Sequence, residues 1–558
     1  MSFGTRARRW AALGGIAAVV LLASAGAPAA ATAAQVAVAH AASSAGGPPV
    51  TDPYAPAYHH RYRNGAVPTR GTAAHMAAWA RQHPYAATAS PSLSPAATGS
   101  AAAGSARNVR YGGGINNIGV TTGEEKVYLV FYGSQWGTMG TNSKGDDTFS
   151  NDPSGEAPYV QELFKGLGTG GELWSGVMTQ YCQSVPVGAQ TCPSRARHAA
   201  YPHGGALAGV WYDNSSASPA QATGNQLAQQ AANAAAFFGN TTAALNRDAQ
   251  YIILSPHGLD PDQYQEQGFC AWHDYTGDSL LDGGGAVSPG YVAFTNMPYV
   301  PDVGLTCGAR FINPGPTPKL QGVSIVVGHE YGETITDQEP PGGWVDRSGN
   351  EVADKCAWKQ TGPGRVAVLS LRTGKFAMQG SWANSANSGT GGCQFTHAIQ
   401  TTELLVNPGF ETGRLSPWHA TSGVLKKSSS GLPARSGSWL ARLGGRAAPH
   451  TDTLAQTVTV APPNGTYGAA KFSFWLEIKT NDPARRAHDR LKVQELTTGG
   501  TVLRTLATFS NLNAVGHYVK HTFLLKANQK IILKFTGTET PAGHTTSFLI
   551  DDTALNAS

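Results

Sequence analysis

Hydrophobic positions follow two rhythms along the chain, and the change between them falls near Glu403. The first begins at about Val109. EKVYLVFYGSQWG packs Val, Tyr, Leu and Phe into one dense run closed by glycine, the pattern of a buried strand. APYVQELFKGLGTGGELWSGVMTQYC has helical spacing, GALAGVWYDNS is strand-like, ATGNQLAQQAANAAAFFGNT is an Ala/Gln-rich helix, and AQYIILSPHG is a second buried strand. Strands alternating with helices ahead of Ser324 predict an α/β core. The stretch from Asp260 to Lys319, rich in Gly and Pro and holding two cysteines, predicts a stapled loop region. After Glu403 come short alternating runs separated by turns, among them TLAQTVTV, AAKFSFWLEIKT, DRLKVQEL, KIILKFTGT and TSFLIDDTAL. Such runs, with almost no helical pattern, predict a β-sandwich.

The segments ahead of Val109 read differently. Arg6, Arg8 and Arg9 precede an apolar run from about Trp10 to Ala23 and then small residues, which predicts a signal peptide cleaved after Ala34 or Ala41. Arg8 and Arg9 leave a twin-arginine route open. From about Ala42 to Arg107, Ala, Ser, Gly and Pro dominate around one helical stretch, GTAAHMAAWARQHPY. That composition buries little core and predicts either a flexible spacer or an inhibitory pro-segment that brings His59, His60 or His75 toward a metal. The expected organisation is a signal peptide over 1–41, a leader over 42–107, an α/β unit over 108–400 and a sandwich over 402–558.

Composition narrows the function. With 13% charged residues and a formal charge of +5 over 558 residues, the chain carries no basic patch suited to nucleic acid. The apolar N-terminal run is too short, and no other is long enough, to span a bilayer, so the mature protein is expected to be secreted. Six cysteines, Cys182, Cys192, Cys270, Cys307, Cys356 and Cys393, suit disulfides in an oxidising compartment. Pairing of sequence neighbours is the expected choice among the ~15 connectivities.

The candidate chemistry lies in SIVVGHEYGETITDQ, Ser324 to Gln338. Glu333 stands where the HExxH zinc-protease signature places its second histidine. On a helix, His329, Glu333 and Asp337 form one stripe of an imidazole and two carboxylates, donors that zinc accepts. Glu330 sits where such a helix carries its general base. Gly328 and Gly332 each weaken the helix by about 1 kcal/mol relative to Ala, which is tolerable where another segment approaches closely. The alternative is a polar helix end with His329 bonded to a carboxylate. Downstream, PPGGWVDRSGNEVADKCAW adds Asp346, Glu351 and Asp354, pinned by Cys356, as a further zinc ligand or as a calcium-binding loop. His257 in SPHG and His273 in CAWHD can each complete a metal site; otherwise they are a turn residue and a residue fixed by disulfide packing. No GxSxG elbow, unpaired catalytic cysteine or phosphate loop is present. A glycosidase pair of carboxylates could come from the acidic segment.

HEYGETITDQ, GWVDRSGNEVADKC and KFAMQGSWANSANSGTGGC, preceded by YIILSPHG and GFCAWHDY, together resemble a family of exported bacterial zinc-dependent proteases. More distantly they are similar to plant exordium or phosphate-induced proteins. The resemblance covers about Val109 to Phe395. It implies a zincin-like α/β catalytic core centred on His329 and Glu330, with Glu333 as acidic partner. ELLVNPGFETGRLSPWHATSG and TSFLIDDTAL resemble the two ends of carbohydrate-binding-like jelly-roll modules, which implies a structural calcium at Glu411 and Asp552. Trp418 and Trp475 are candidates for stacking on sugar rings, although aromatics in a sandwich are more often core.

The expected function is a secreted endopeptidase acting on extracellular protein through a zinc-activated water, with Glu330 as general base. Its ligands would come from His329, Glu333, Asp337, Glu351, His257 and His273. The alternative is a non-catalytic, exordium-like wall or matrix protein that binds calcium and polysaccharide.

Overall fold

A computed structural model describes residues 51–83, 105, 107–446, 448–460, 468–483, 486–540 and 544–558. The expected signal peptide lies outside the described residues, as does much of the leader. The chain is β-rich, and its described residues belong to one unit spanning Ala45–Ser558.

The first part is built on a mixed six-stranded sheet. In chain order its elements are β1 (Asn64–Pro68), α1 (Arg70–Gln82), β2 (Lys126–Tyr132), α2 (Glu156–Gly166), β3 (Leu207–Asp213), α3 (Gly224–Phe237), β4 (Ala249–Leu254), β5 (Phe269–Tyr275), β6 (Ala293–Met297) and α4 (Gln321–Thr336). The sheet order is β1-β5-β6-β4-β2-β3. β3, β2, β4 and β6 run parallel, while β5 is antiparallel to both β6 and β1. Alternation along each strand divides its side chains between two layers. Leu129, Phe131, Ile252, Leu254 and Ala271 pack with Val160 and Phe164 of α2 and Val323, Val327 and Tyr331 of α4. Tyr128, Val130, Tyr251, Ile253 and Trp272 pack on the other side with Leu227, Ala231 and Ala235 of α3.

Two expectations are corrected here. The region from Asp260 to Lys319 holds two fully buried strands, β5 and β6, and is not only stapled loop. In FCAWHDY, the central His273 and Asp274 obscure an alternation that places Ala271 and His273 on one face and Trp272 and Asp274 on the other. The leader also buries more than its composition suggests. Tyr62, Arg63, Ala66 and Val67 are all buried, and β1 is an edge strand of the sheet.

The second part is an antiparallel sandwich. One sheet has the order Leu425–Lys427, Trp439–Gly444, Thr546–Ala557, Ala470–Thr480 and Val519–Leu525. The other has the order His419–Ala420, His450–Val460, Gln529–Glu539, Arg490–Thr497 and Val502–Ser510. Phe472, Phe474, Leu533, Phe535 and Ile550 fill the space between them. Trp418 is core, 2% exposed beside Phe410, so it cannot stack on a sugar. Trp475 is partly exposed and is covered by the Arg435 guanidinium 4.1 Å from its ring centre. The two parts meet where the Glu403 N–H donates to Ser194 O at 2.9 Å and His203 Nε2 lies 2.9 Å from Ser558 Oγ.

The cysteines form three disulfides, Cys182–Cys192, Cys270–Cys307 and Cys356–Cys393, the neighbour pairing expected. Among the described residues no helix is long and apolar enough to cross a membrane.

Candidate metal centre

α4 is apolar nearly all round at its start and polar toward its end, and every one of its 16 residues is buried. A helix hydrophobic on all sides belongs inside a protein, and here the sheet lies on one side and Ile325 packs with Val366 and Ala377 on another. This burial carries His329, Glu330 and Glu333 out of water. Gly328 allows the close approach: a Cβ there would lie 2.4 Å from Met378 Cε.

Glu333 Oε2 is 3.0 Å from His329 Nε2 and 3.9 Å from His273 Nε2, so one carboxylate oxygen faces two imidazoles. Its other oxygen, Oε1, accepts from the N–H groups of Ala353 and Asp354, each at 2.8 Å, which fixes the carboxylate. Asp354 Oδ1 is 3.5 Å from His329 Nε2. His273 Nε2 lies 3.2 Å from both oxygens of Glu351. On the far side of its ring, His329 Nδ1 lies 3.3 Å from Gln379 Oε1, and only the protonated nitrogen can donate to that acceptor. Nε2 therefore faces the carboxylates. Both oxygens of Glu330 are buried without a hydrogen-bond partner. Donor atoms of His329, Glu333 and Asp354 lie within 4.8 Å of one another, as do those of His273, Glu330 and Glu333.

The charges are badly matched in the protein alone. Burial, with Glu333 and Asp354 nearby, raises the Glu330 carboxyl well above its usual range. Burial and the Asp354 charge push Glu333 up to about 7. Burial and the charges of Asp337 and Glu333 raise Glu351 well above normal. Burial and His329 push His273 down to about 3, keeping it neutral. Burial alone would lower His329, but Glu333, Asp354 and Glu330 raise it well above the usual imidazole range. The carboxyls of Glu330, Glu333 and Glu351 are thus all shifted toward holding a proton, the response of buried acids short of positive charge. A divalent cation would supply that charge and displace the protons. The orphaned Glu330 oxygens and the mixed N and O donors fit such an ion.

Of the expected site residues, the structure brings together His329, Glu330, Glu333 and His273, with Glu351 against the same His273 Nε2 that faces Glu333. Asp337 is not part of the stripe. α4 ends at Thr336, and the Asp337 carboxylate turns to accept from the Gly343 N–H at 2.5 Å. His257 does not join the cluster: its Nδ1 is held 2.5 Å from Asp302 Oδ1 at a largely exposed position. Asp346 is engaged by the Ser348 and Asn350 N–H groups and by the Lys355 ammonium 2.5 Å away. In the sandwich, Glu411 accepts from the N–H groups of Ser438 and Trp439, and Asp552 from Ser436 Oγ and Arg435, so both carboxylates border one loop. Asp354, one of the candidates in the acidic segment, joins the cluster. Gln379 is the site residue that the sequence does not mark, since nothing in KFAMQGSW singles it out.

No protein-family model matches the chain, and no curated protein does. Solved structures similar to part of it include TmCBM61 in complex with β-1,4-galactotriose, at 20% identity and a TM-score of 0.22, covering 28% of this chain and 99% of that one. Another is the CBM22-1 xylan-binding domain of Paenibacillus barcinonensis Xyn10C, at 11% identity and a TM-score of 0.17, covering 25% and 85%. A third is the K3 adhesin domain of Lys-gingipain from Porphyromonas gingivalis, at 16% identity and a TM-score of 0.20, covering 28% and 98%. Likeness at these scores assigns neither fold nor ligand, and the sandwich is read from its own strands.

Proposed function

We propose that the chain is an exported, metal-dependent peptidase with a zincin-like core and a C-terminal module that attaches it to polysaccharide. The observation that carries this reading is the convergence of His329, Glu333 and Asp354 beside the unpartnered carboxyl of Glu330. His329, Glu333, Asp354 and His273 would hold the ion, zinc being the best match to mixed imidazole and carboxylate donors. A bound divalent ion supplies the positive charge that polarises a peptide carbonyl and acidifies water. Gln379 holds the His329 tautomer, and the N–H groups of Ala353 and Asp354 orient Glu333. Glu330 takes the proton from the attacking water as the C–O bond forms and delivers it to the leaving amine as the C–N bond breaks.

The abundance of carboxylates favours a second reading, a calcium-binding matrix protein without catalysis, since calcium prefers oxygen donors. Metal content after dialysis against zinc and calcium, together with casein hydrolysis, separates the two. Zinc bound by the wild type and lost in His329→Ala, with hydrolysis abolished by Glu330→Gln, supports the peptidase. Calcium alone, or hydrolysis unchanged in Glu330→Gln, refutes it.

A further inference from the structure

The leader strand β1 crosses the candidate centre itself. It pairs antiparallel with β5, Asn64 opposite His273 and Val67 opposite Ala271. Between those pairs the register is irregular, and the Gly65 carbonyl points at His329 Nε2, 3.1 Å away. Gly65 has φ +55°, and a Cβ there would come within 2.0 Å of Glu333 Oε2 and 2.8 Å of the His273 ring. Only glycine fits this approach.

On its N-terminal side β1 is fastened by a buried anchor. Arg63 Nε is 2.8 Å from Asp262 Oδ2, with the two side chains 2% and 6% exposed. Tyr62 Oη and Trp272 Nε1 also donate to the Asp262 carboxylate, each at 2.9 Å. At the other end the Trp358 indole donates to Pro68 O at 2.7 Å. A cleft of about 170 Å³ remains beside β1, bordered by Asn64, Gly65, Pro341, Asn350 and Asp354.

We infer that the edge of β5 is a binding site for an extended polypeptide, and that β1 is its built-in occupant. The ligand class is a strand that adds to β5 through main-chain hydrogen bonds, with glycine at the position facing His329 and Glu333. While β1 is seated, no other strand can pair with this edge of β5. The inference deepens the peptidase reading and rests on it for the role of the site, but strand occupancy itself does not need catalysis.

The test uses the full chain with two variants, Arg63→Ala, which removes the anchor, and Gly65→Ala, which removes the fit. Hydrogen exchange of the β5 amides should accelerate about tenfold or more in both as the seated fraction falls. Unchanged exchange in α3 and in the sandwich marks a folded protein. A synthetic peptide, PAYHHRYRNGAVPTR, added to Arg63→Ala should restore protection of β5, whereas the same peptide with Ala in place of Gly65 should not. Unchanged β5 exchange in both variants, or equal protection by the two peptides, overturns the inference. Casein hydrolysis by the variants is read separately. Faster exchange without hydrolysis leaves strand occupancy standing and counts against the peptidase.

Discussion

Glu125 stands at the start of the sheet and 3% exposed, where a charge is costly. Its Oε1 accepts from Gln250 Nε2 at 2.8 Å, and Gln250 Oε1 is left without a donor. Burial, reinforced by Asp248, raises the Glu125 carboxyl from 4.5 to about 8. The sign follows from linkage. The folded protein holds this proton more tightly than the unfolded chain, so the stability it contributes is complete below pH 4.5 and is lost as pH rises toward about 8. At ~1.4 kcal/mol per pH unit, the loss between pH 5 and pH 8 is roughly 3 kcal/mol. Glu125→Gln removes the titration, and its amide can donate to the open Gln250 Oε1, giving a reciprocal pair. Thermal unfolding followed by tryptophan fluorescence should show the variant gaining on wild type as pH rises from 5 to 8. At about 2 °C per kcal/mol for a unit of this size, the gain is roughly 6 °C. The carboxylates of the candidate centre titrate in both proteins and cancel in the difference. A gap that stays constant with pH, or a variant less stable than wild type at pH 8, would refute the reasoning.

Two further predictions concern the helix and its support. Gln379→Ala removes the acceptor behind His329 and should weaken zinc affinity by about 10–100-fold in a competition titration, with the far-ultraviolet circular dichroism unchanged. The two helix glycines should separate: Gly332→Ala, whose Cβ would meet nothing nearer than Met178 Sδ at 3.7 Å, should gain up to about 1 kcal/mol, whereas Gly328→Ala meets Met378 Cε at 2.4 Å and should lose stability in the same denaturant titration.

Much of this arrangement could be read along the chain because it depends on local periodicity. The buried strands β2 and β4, the helix α3 and the strands of the sandwich each follow from a short run of residues. So does the relation of His329 to Glu333, since residues four apart share a helix face. Asp337 marks the limit of that logic. Its spacing continues the stripe, but the helix stops one residue earlier, and the carboxylate finds a backbone N–H in the following turn. Helix ends are decided by what the departing chain can bond to, and here the partner is Gly343.

The contacts that complete the site are long-range: local sequence marks His273 and Asp354 only as candidates, and no local pattern announces Gln379 or Gly65. Asp354, Gln379, His273 and Gly65 come from four separate segments, brought to α4 by a disulfide-pinned loop, a short hairpin, an antiparallel strand and the leader. Gly65 is the most instructive. Its neighbours Tyr62, Arg63, Ala66 and Val67 are buried within a segment whose overall composition reads as spacer, because one edge strand needs only a few anchored residues to bind a sheet that is already formed. The same economy makes the strand exchangeable: main-chain pairing with β5 is open to any extended segment, while the Arg63 and Asp262 pair and the glycine fit belong to β1. Affinity for the edge and selectivity for its occupant therefore reside in different atoms. For that reason replacing Arg63 should loosen the strand without altering the site it covers.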